Sequence, residues 1–236
     1  MNYYKKTGKE MVTTIHENLK RLKETVARTL LRIGREDEVT IIAVTKTVPP
    51  ERINVAIDAG IKIIGENRVQ EALEKHGKVK EGVQWHMVGH LQRNKVKHAL
   101  GIFQMIQSID KIETAIEIEK RATSPVDILI EINSSGEETK SGINPNRLFY
   151  LVDEIQKLKM VSIKGLMTIG PFTDDVRAIR RAFQITRSKY DELGRKYPNL
   201  DLRFLSMGMS ADYQIAIEEG SNMIRIGTAI FGERKV

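Results

Sequence analysis

The stretch VTIIAVTKTVPPERINVAIDAGIKIIGENRVQ, residues 39–70, decides the fold of this chain. It begins with a β-branched run, residues 39–46, that is too short for a helix and apolar on both faces, which predicts a buried parallel strand. Pro49 and Pro50 then open a helix that runs to Gly60, because the fixed φ of proline suits a first helical turn. A second strand, IKIIGE, follows at residues 61–66. Strand, helix and strand in this order predict a βαβ unit with parallel strands.

The same alternation continues to the end of the chain. Further apolar strands are predicted at residues 83–89, 103–109, 126–133, 161–170, 202–208 and 222–227. Helical segments between them include residues 112–122, about 145–158 and about 173–197. Eight strands alternating with seven helices predict an α/β fold that closes as a (β/α)8 TIM barrel. The alternative is an open doubly wound sheet, but TKTVPPE after the first strand is unlike the Gly-rich dinucleotide turn of that fold.

An N-terminal helix is expected to complete the ring of helices. Apolar residues recur at steps of three and four from Val12 to Ile33, which predicts one apolar stripe on a long helix that ends at Gly34. Residues 1–9 are polar and are expected to be frayed. Only nine residues follow the last predicted strand, too few for an eighth helix there. We therefore expect residues 1–236 to form a single barrel domain in which the N-terminal helix fills that gap.

Composition excludes several classes of site. The chain has 236 residues and no cysteine, which excludes disulfide scaffolds, thiol catalysis, zinc fingers and iron–sulfur clusters. No metal site is expected, because His86 and His90 straddle a strand end and Gly89. No apolar run reaches the roughly 20 residues of a bilayer span, and no signal peptide is evident, so we expect a cytoplasmic protein without membrane contact. The net charge of +7 favours an anionic ligand or a charged surface over nucleic acid.

Two cations are predicted to point into the barrel. Alternation places Lys46 on the same side of the first strand as Ile42, at the mouth of the barrel. In the last strand Ile224 and Ile226 would face the helices, which leaves Met223 and Arg225 inward. A single inward lysine would be interpreted as a rim residue. Two inward cations change that interpretation, since desolvated lysines lose their proton readily and serve as Schiff-base nucleophiles.

Other polar residues lie near the carboxyl ends of predicted strands, where barrel active sites are built. His86 is interpreted as a hydrogen-bonded core histidine. Asn67 follows the second strand, Asn133 ends the fifth and Ser206 ends the seventh, whereas Gln84 and His86 are predicted to point inward on the third.

The loops after the seventh and eighth strands predict a phosphate site. In SMGMSAD, residues 206–212, Ser210 is a candidate N-cap for the next helix, and the glycine lets backbone N–H groups converge on an anion. Gly227 and Thr228 supply a second set of donors. Barrels commonly bind phosphate with these two loops. Combined with Lys46 and Arg225, such a site indicates a phosphorylated aldehyde as cofactor.

Seven segments carry a specific family resemblance. AVTKTVPPE, GENRVQEALEK, WHMVGHLQRNK, IEINSSGEETKSGI, GLMTIG, SMGMSADYQIAIEEG and RIGTAIFGER closely resemble the pyridoxal phosphate homeostasis protein family, whose barrel is related to that of alanine racemase. The match is in order and runs from about Val39 to Arg234. It implies a barrel that holds pyridoxal 5′-phosphate as a Schiff base on Lys46. By position, the residues implied to line the cofactor are Asn67, Met167, Ser206, Ser210, Arg225, Gly227 and Thr228.

The resemblance implies a binding protein that stores, buffers or delivers pyridoxal phosphate to apo-enzymes, as a monomer or weak dimer. An arginine at the ring nitrogen opposes its protonation and weakens the cofactor as an electron sink. Alanine racemase also adds a C-terminal β-domain with a second base, which this sequence is not expected to supply. Efficient racemase activity is therefore not expected, although a racemase-like enzyme is the alternative.

Two further interpretations concern charged side chains. The basic run at Arg93, Lys95, Lys97 and His98 suggests a nucleic-acid binder, but we favour a solvated helix face. Lys140 follows the fifth strand on the same face of the barrel, either as a second cofactor contact or as a solvated loop charge, and we favour the charge.

Overall fold

The computed structural model describes residues 8–137 and 140–233, and its strands form a closed parallel barrel. They pair in chain order, and β8 closes onto β1 with Ile42 opposite Arg225. The predicted TIM barrel is confirmed. The strands are β1 (Thr40–Val44), β2 (Ile63–Glu66), β3 (Gln84–Met87), β4 (Met105–Ile109), β5 (Val126–Ile132), β6 (Val161–Thr168), β7 (Phe204–Ser206) and β8 (Met223–Ile226).

Helices surround the sheet, one in each connection between successive strands. In two connections a 3₁₀ turn directly precedes the helix, at Arg93–Lys95 and Pro145–Arg147. The first of these shows that the predicted basic run opens its helix as a tight turn. The helices are α1 (Gly8–Arg32), α2 (Pro50–Asp58), α3 (Val69–His76), α4 (Val96–Ala99), α5 (Ile112–Arg121), α6 (Leu148–Ile155), α7 (Val176–Lys196), α8 (Tyr213–Glu218) and α9 (Thr228–Phe231).

Period-two alternation separates an inner from an outer apolar layer. The inner cluster is small and fills the barrel with Ile42, Met105, Leu129, Met167 and Met223. The outer cluster joins the other faces of the strands to the helices and includes Ile224 and Ile226. The predicted orientation of β8 is therefore confirmed, and Arg225, two residues after Met223, lies on the inner side.

The N-terminal helix completes the ring, as predicted. Its stripe buries Ile15, Leu19, Leu22 and Val26, and α1 packs against α2, α8 and α9. The Asn18 amide donates a hydrogen bond of 2.9 Å to the Ile230 carbonyl. The expectation that no helix follows β8 is wrong, because α9 forms one helical turn there. α9 is too short to take a full place in the ring of helices, and the longer α1 packs against it and fills that place.

The ends of α1 follow from local chemistry. Gly34 adopts φ +67, a left-handed conformation that glycine tolerates and that ends the helix. Fraying was predicted for residues 1–9, but α1 already includes Gly8 and Lys9, and residues 1–7 lie outside the described part of the chain. Within residues 8–137 and 140–233, no helix combines the length and apolar composition that crossing a membrane requires.

Candidate functional site

The carboxyl ends of the strands gather the predicted site residues at one rim of the barrel. Lys46 lies two residues beyond β1 and is half-buried. Arg225 is in register with Ile42, which precedes Lys46 by four residues. Arg225 thus lies on the inner side of the barrel, as the alternation predicted, and Lys46 follows the carboxyl end of the neighbouring strand.

Arg225 is the centre of the buried polar network. It is 4% exposed, and its guanidinium donates to the Ser206 carbonyl at 2.9 Å, to Ser206 Oγ at 2.7 Å and to the Thr168 carbonyl at 2.7 Å. Burial lowers the pKa of Arg225 to about 10, and the nearby carboxylates of Glu131 and Asp212 oppose that change. The guanidinium therefore stays charged at neutral pH while it joins the ends of β6 and β7.

The network continues across the barrel to β3. Ser206 Oγ donates to Gln107 Oε1 at 2.8 Å, and Gln107 Nε2 lies 3.0 Å from His86 Nδ1. Burial lowers the pKa of His86 to about 4, so the ring is neutral and accepts from the amide. His86 is therefore the hydrogen-bonded core histidine that the sequence predicted. Hydrogen bonds rather than apolar packing fix the orientation of Ser206 and Arg225.

Two buried carboxyl groups near Arg225 were not predicted from the sequence. Burial and, second, the charge of Asp110 raise the pKa of Glu131 to about 7, while Arg225 lowers it. Burial also raises the pKa of Asp212. For Glu131 a signal was available, because it alternates with Leu129, which faces the interior.

Ser210 joins the two loops that were predicted to bind phosphate. Its Oγ accepts from the Gly227 N–H at 3.3 Å and from the Ala229 N–H at 3.2 Å. The prediction that Ser210 caps the next helix is wrong, because α8 begins at Tyr213 with Asp212 as its N-cap. The hydroxyl oxygen is taken by donors of the loop after β8, which leaves it unavailable to α8.

Gly208 allows the loop after β7 to pack closely. It adopts φ +95, and a Cβ there would lie 2.6 Å from Ala216 Cβ and 2.8 Å from Tyr213 Cα. Its carbonyl accepts from the Arg225 N–H at 3.0 Å. A side chain at this position would push the loop away from β8 and from the Ser210 bridge.

The remaining predicted residues lie at the same end of the barrel. Met167 is fully buried in the inner cluster, and Thr228 is exposed at the start of α9. Asn67 follows β2 and lines a cleft of about 420 Å³ together with Gly89. The Gly89 backbone approaches so closely that a Cβ there would lie 2.5 Å from the Asn67 carbonyl oxygen.

The loop after β5 is organised by Asn133 and Lys140. The Asn133 amide donates to the Glu137 carbonyl at 2.8 Å. Lys140 Nζ lies 2.6 Å from Glu137 Oε1 and 3.2 Å from the Gly170 carbonyl. The predicted solvated charge is thus corrected to a paired one, because the Lys140 side chain is only 23% exposed.

No group of three or more His, Asp or Glu side chains in the described ranges could hold a metal ion. The groups that this end of the barrel offers are a lysine amine, a buried guanidinium, hydroxyl groups and backbone N–H donors. A lysine amine beside anion donors suits a ligand that carries both a carbonyl carbon and a negative charge.

Comparisons with known proteins agree with this geometry. The family model described as alanine racemase, N-terminal domain, matches residues 13–235. The pyridoxal phosphate homeostasis protein of Aquifex aeolicus is 44% identical over 224 residues, which cover 93% of this chain and 98% of that protein. The protein of the same name from Escherichia coli K12 is 38% identical over 229 residues, covering 93% and 97%.

Solved structures show the same barrel. PipY of Synechococcus elongatus with pyridoxal phosphate bound is 32% identical, with a TM-score of 0.82, and the match covers 92% of this chain and 100% of that one. An alanine racemase of Clostridium difficile has a TM-score of 0.74 at 17% identity, covering 93% of this chain and 60% of that one, and shares the fold alone. This chain belongs to the alanine racemase N-terminal domain family and, within it, to the pyridoxal phosphate homeostasis proteins.

Proposed function

We propose that this protein binds pyridoxal 5′-phosphate and stores, buffers or delivers it. The observation that carries the proposal is the combination, at one end of the barrel, of Lys46 and Arg225 with the loop after β8, whose Gly227 and Ala229 N–H groups converge on the Ser210 hydroxyl oxygen of the loop after β7. PipY, whose structure contains this cofactor, shares the fold over 92% of this chain. The cofactor residues we propose are Lys46, Asn67, Met167, Ser206, Ser210, Arg225, Gly227 and Thr228.

The backbone N–H groups that we propose bind the phosphate group suit a dianion. The N–H groups of Gly227 and Ala229 already share a single oxygen acceptor, Ser210 Oγ. Phosphate oxygens are acceptors of the same kind, and charge makes such hydrogen bonds shorter and stronger. Gly208 keeps this loop against α8, and Thr228 adds a hydroxyl at the rim.

Lys46 supplies the covalent attachment in this proposal. When bound, pyridoxal phosphate supplies an electrophilic aldehyde and an electron-withdrawing ring. The Lys46 nitrogen would bond to the aldehyde carbon, and the carbonyl oxygen would leave as water. Arg225 keeps its own proton and its positive charge in the interior, which opposes protonation of a neighbouring pyridine nitrogen. This environment favours holding the cofactor over carbanion chemistry.

Chemical trapping tests the attachment to Lys46 directly. We expect the purified protein with pyridoxal phosphate to be yellow, and borohydride reduction to fix the cofactor on the peptide that contains Lys46. Lys46→Ala should fold and remain colourless, whereas the matched control Lys140→Ala should retain colour. An adduct found on Lys140 alone would overturn the assignment.

Delivery is a separate part of the proposal, with apo forms of cytoplasmic pyridoxal phosphate enzymes as recipients. The loaded protein should restore activity to such an apo-enzyme, and borohydride-reduced protein should not, because its cofactor can no longer leave. Equal activation by both forms would show that contaminating free cofactor was responsible.

A further inference from the structure

A largely buried cluster of charged side chains, from the end of β2 and from α3, contacts the backbone on either side of Lys46. It consists of Glu66, Glu71 and Lys75, and we call it the Lys75 cluster. Lys75 Nζ donates to the Thr45 carbonyl at 2.7 Å, to Glu66 Oε1 at 2.8 Å and to Glu71 Oε1 at 2.6 Å. An ammonium group has three donors, so each one is used. Lys75 is 7% exposed, and Glu66 is fully buried.

The cluster contacts the backbone on both sides of Lys46. On one side, Lys75 binds the Thr45 carbonyl, and Thr45 Oγ1 donates to Glu66 Oε1 at 2.6 Å. On the other side, the Thr47 N–H donates to the Glu71 carboxylate. The residues before and after Lys46 are therefore both held by one set of charged groups.

Thr47 explains why such support is needed. It has φ +63, a conformation that is a genuine outlier for a β-branched residue, and no other non-glycine residue in the described ranges has a positive φ. Backbone strain of this kind persists only where the surroundings over-determine it. The turn is closed by the Val48 N–H, which donates to the Thr45 carbonyl at 2.9 Å. The Thr45 carbonyl therefore accepts hydrogen bonds from both the turn and Lys75.

A contribution to folding stability is not a sufficient explanation for this cluster. Burial raises the pKa of Glu66, and its Oε2 is buried without a hydrogen-bond partner among the described residues. Replacing buried ion pairs with apolar groups is often neutral or stabilising, so such pairs are weak evidence for stability. The cluster does hold two peptide groups in place beside Lys46, the proposed attachment point.

We propose that the Lys75 cluster positions Lys46 for cofactor capture by holding the strained backbone of residues 45–47. The inference rests on the proposed function, since it assigns these residues a role toward the Lys46 amine. Lys75 and Glu71 act through the backbone and do not touch the reacting atoms.

The first test replaces Lys75 by methionine, an unbranched side chain that is one atom shorter and has no hydrogen-bond donor. Capture of pyridoxal phosphate by the variant should slow by about tenfold or more, since misplacement by about 1 Å can cost a hundredfold. Capture is followed by visible absorbance and by borohydride trapping on Lys46. The matched control is Lys80→Met, which makes the same change at a lysine that pairs with Asp58 on the surface.

Rescue separates positioning from folding. Thr47→Gly in the Lys75→Met background should restore most of the capture rate, because glycine adopts a positive φ without strain. A merely structural role predicts a lowered melting temperature that this glycine does not correct. If Lys75→Met fails to fold, Glu71→Ala and Glu71→Gln carry the test: the amide keeps an acceptor for the Thr47 N–H and should capture normally, and alanine should not.

A measurement made without cofactor distinguishes a failure of the positioning role from a failure of the proposed function. Backbone chemical shifts of Thr47 report its φ and should move in Lys75→Met but not in Lys80→Met. Wild-type capture rates together with unchanged Thr47 shifts in Lys75→Met would overturn the positioning role. Absence of capture by the wild-type protein would instead overturn the proposed function, and the Thr47 shifts would still test the cluster.

Discussion

Glu131 shows how one buried carboxyl group can make the stability of the folded barrel depend on pH. Its pKa is raised from 4.5 to about 7 in the folded protein, mainly by burial. Between these two values the folded state holds a proton that the unfolded state has released, so stability falls as pH rises. Below pH 4.5 both states are protonated and Glu131 contributes no penalty; above about pH 7 the full penalty remains.

The expected result is a pH-dependent gain on replacing Glu131 by glutamine. The interval between 4.5 and about 7 corresponds to roughly 3 kcal/mol at about 1.4 kcal/mol per pH unit. Glu131→Gln should therefore raise the free energy of unfolding by up to about 3 kcal/mol at pH 8 and by much less at pH 5. Urea denaturation at both pH values measures this.

Glu117→Gln is the control for that experiment. Arg121 pairs with Glu117 and lowers its pKa, so removal of the Glu117 carboxylate brings no gain at high pH. An equal gain from Glu131→Gln at pH 5 and pH 8 would contradict a titrating Glu131 and would point to better packing instead.

At the same scale, sequence reasoning succeeded where a local period decides the outcome. The inward position of Arg225 follows from strand alternation, because only two faces are available to a strand residue. The role of Ser210 could not be predicted in this way, since its partners Gly227 and Ala229 lie far along the chain. In the Lys75 cluster only Glu71 and Lys75, an i,i+4 pair, left a local signal.

At the scale of the element, α1 seals the barrel with its apolar stripe. Leu22 is 3% exposed within this stripe, whereas Leu31 on the same helix is 82% exposed. Leu22→Ala should lower the free energy of unfolding by about 2–4 kcal/mol, because it removes buried methyl groups and leaves a cavity. Thermal and urea denaturation measure the loss.

Leu31→Ala is the matched control, since it makes the same chemical change on the solvent side of α1 and should alter stability by less than about 0.5 kcal/mol. Similar losses from both substitutions would mean that burial of Leu22 is not the cause, and helix propensity could not be either, because alanine favours a helix more than leucine does. An unchanged Leu22→Ala protein would show that α1 is appended to the barrel and does not complete it.

Element boundaries were predicted less well than element identity. The predicted helix at about 173–197 begins at Val176, because Asp175 caps it by accepting from the Arg177 N–H. The predicted strand 202–208 shortens to Phe204–Ser206, since the loop after it turns at Gly208. Apolar periodicity identifies an element, whereas capping and turn contacts decide where it ends.

At the scale of the whole molecule, closure of the sheet brings together residues from opposite ends of the chain. β1 and β8 pair directly, and this register places Arg225 beside Ile42. Strand count predicted the closure, but the polar network from His86 to Arg225 depends on side chains that cross the barrel. No local pattern contains that information, so the interior chemistry could be predicted only in part.

The charge of that interior is the reason to expect a carrier rather than an enzyme. Arg225 remains protonated and is held by Ser206 and Thr168, and a cation there opposes the protonated ring that carbanion chemistry requires. Exchange of the Cα proton of L-alanine with solvent deuterium, followed by NMR, should therefore be slow with the cofactor-loaded wild-type protein. Arg225→Gln, which removes the charge but retains an amide donor, should exchange faster. An alanine racemase assayed alongside shows that the conditions permit exchange. Wild-type exchange at about 1 per second or more, within the range of ordinary enzymes, would overturn the carrier and establish a racemase-like enzyme in its place.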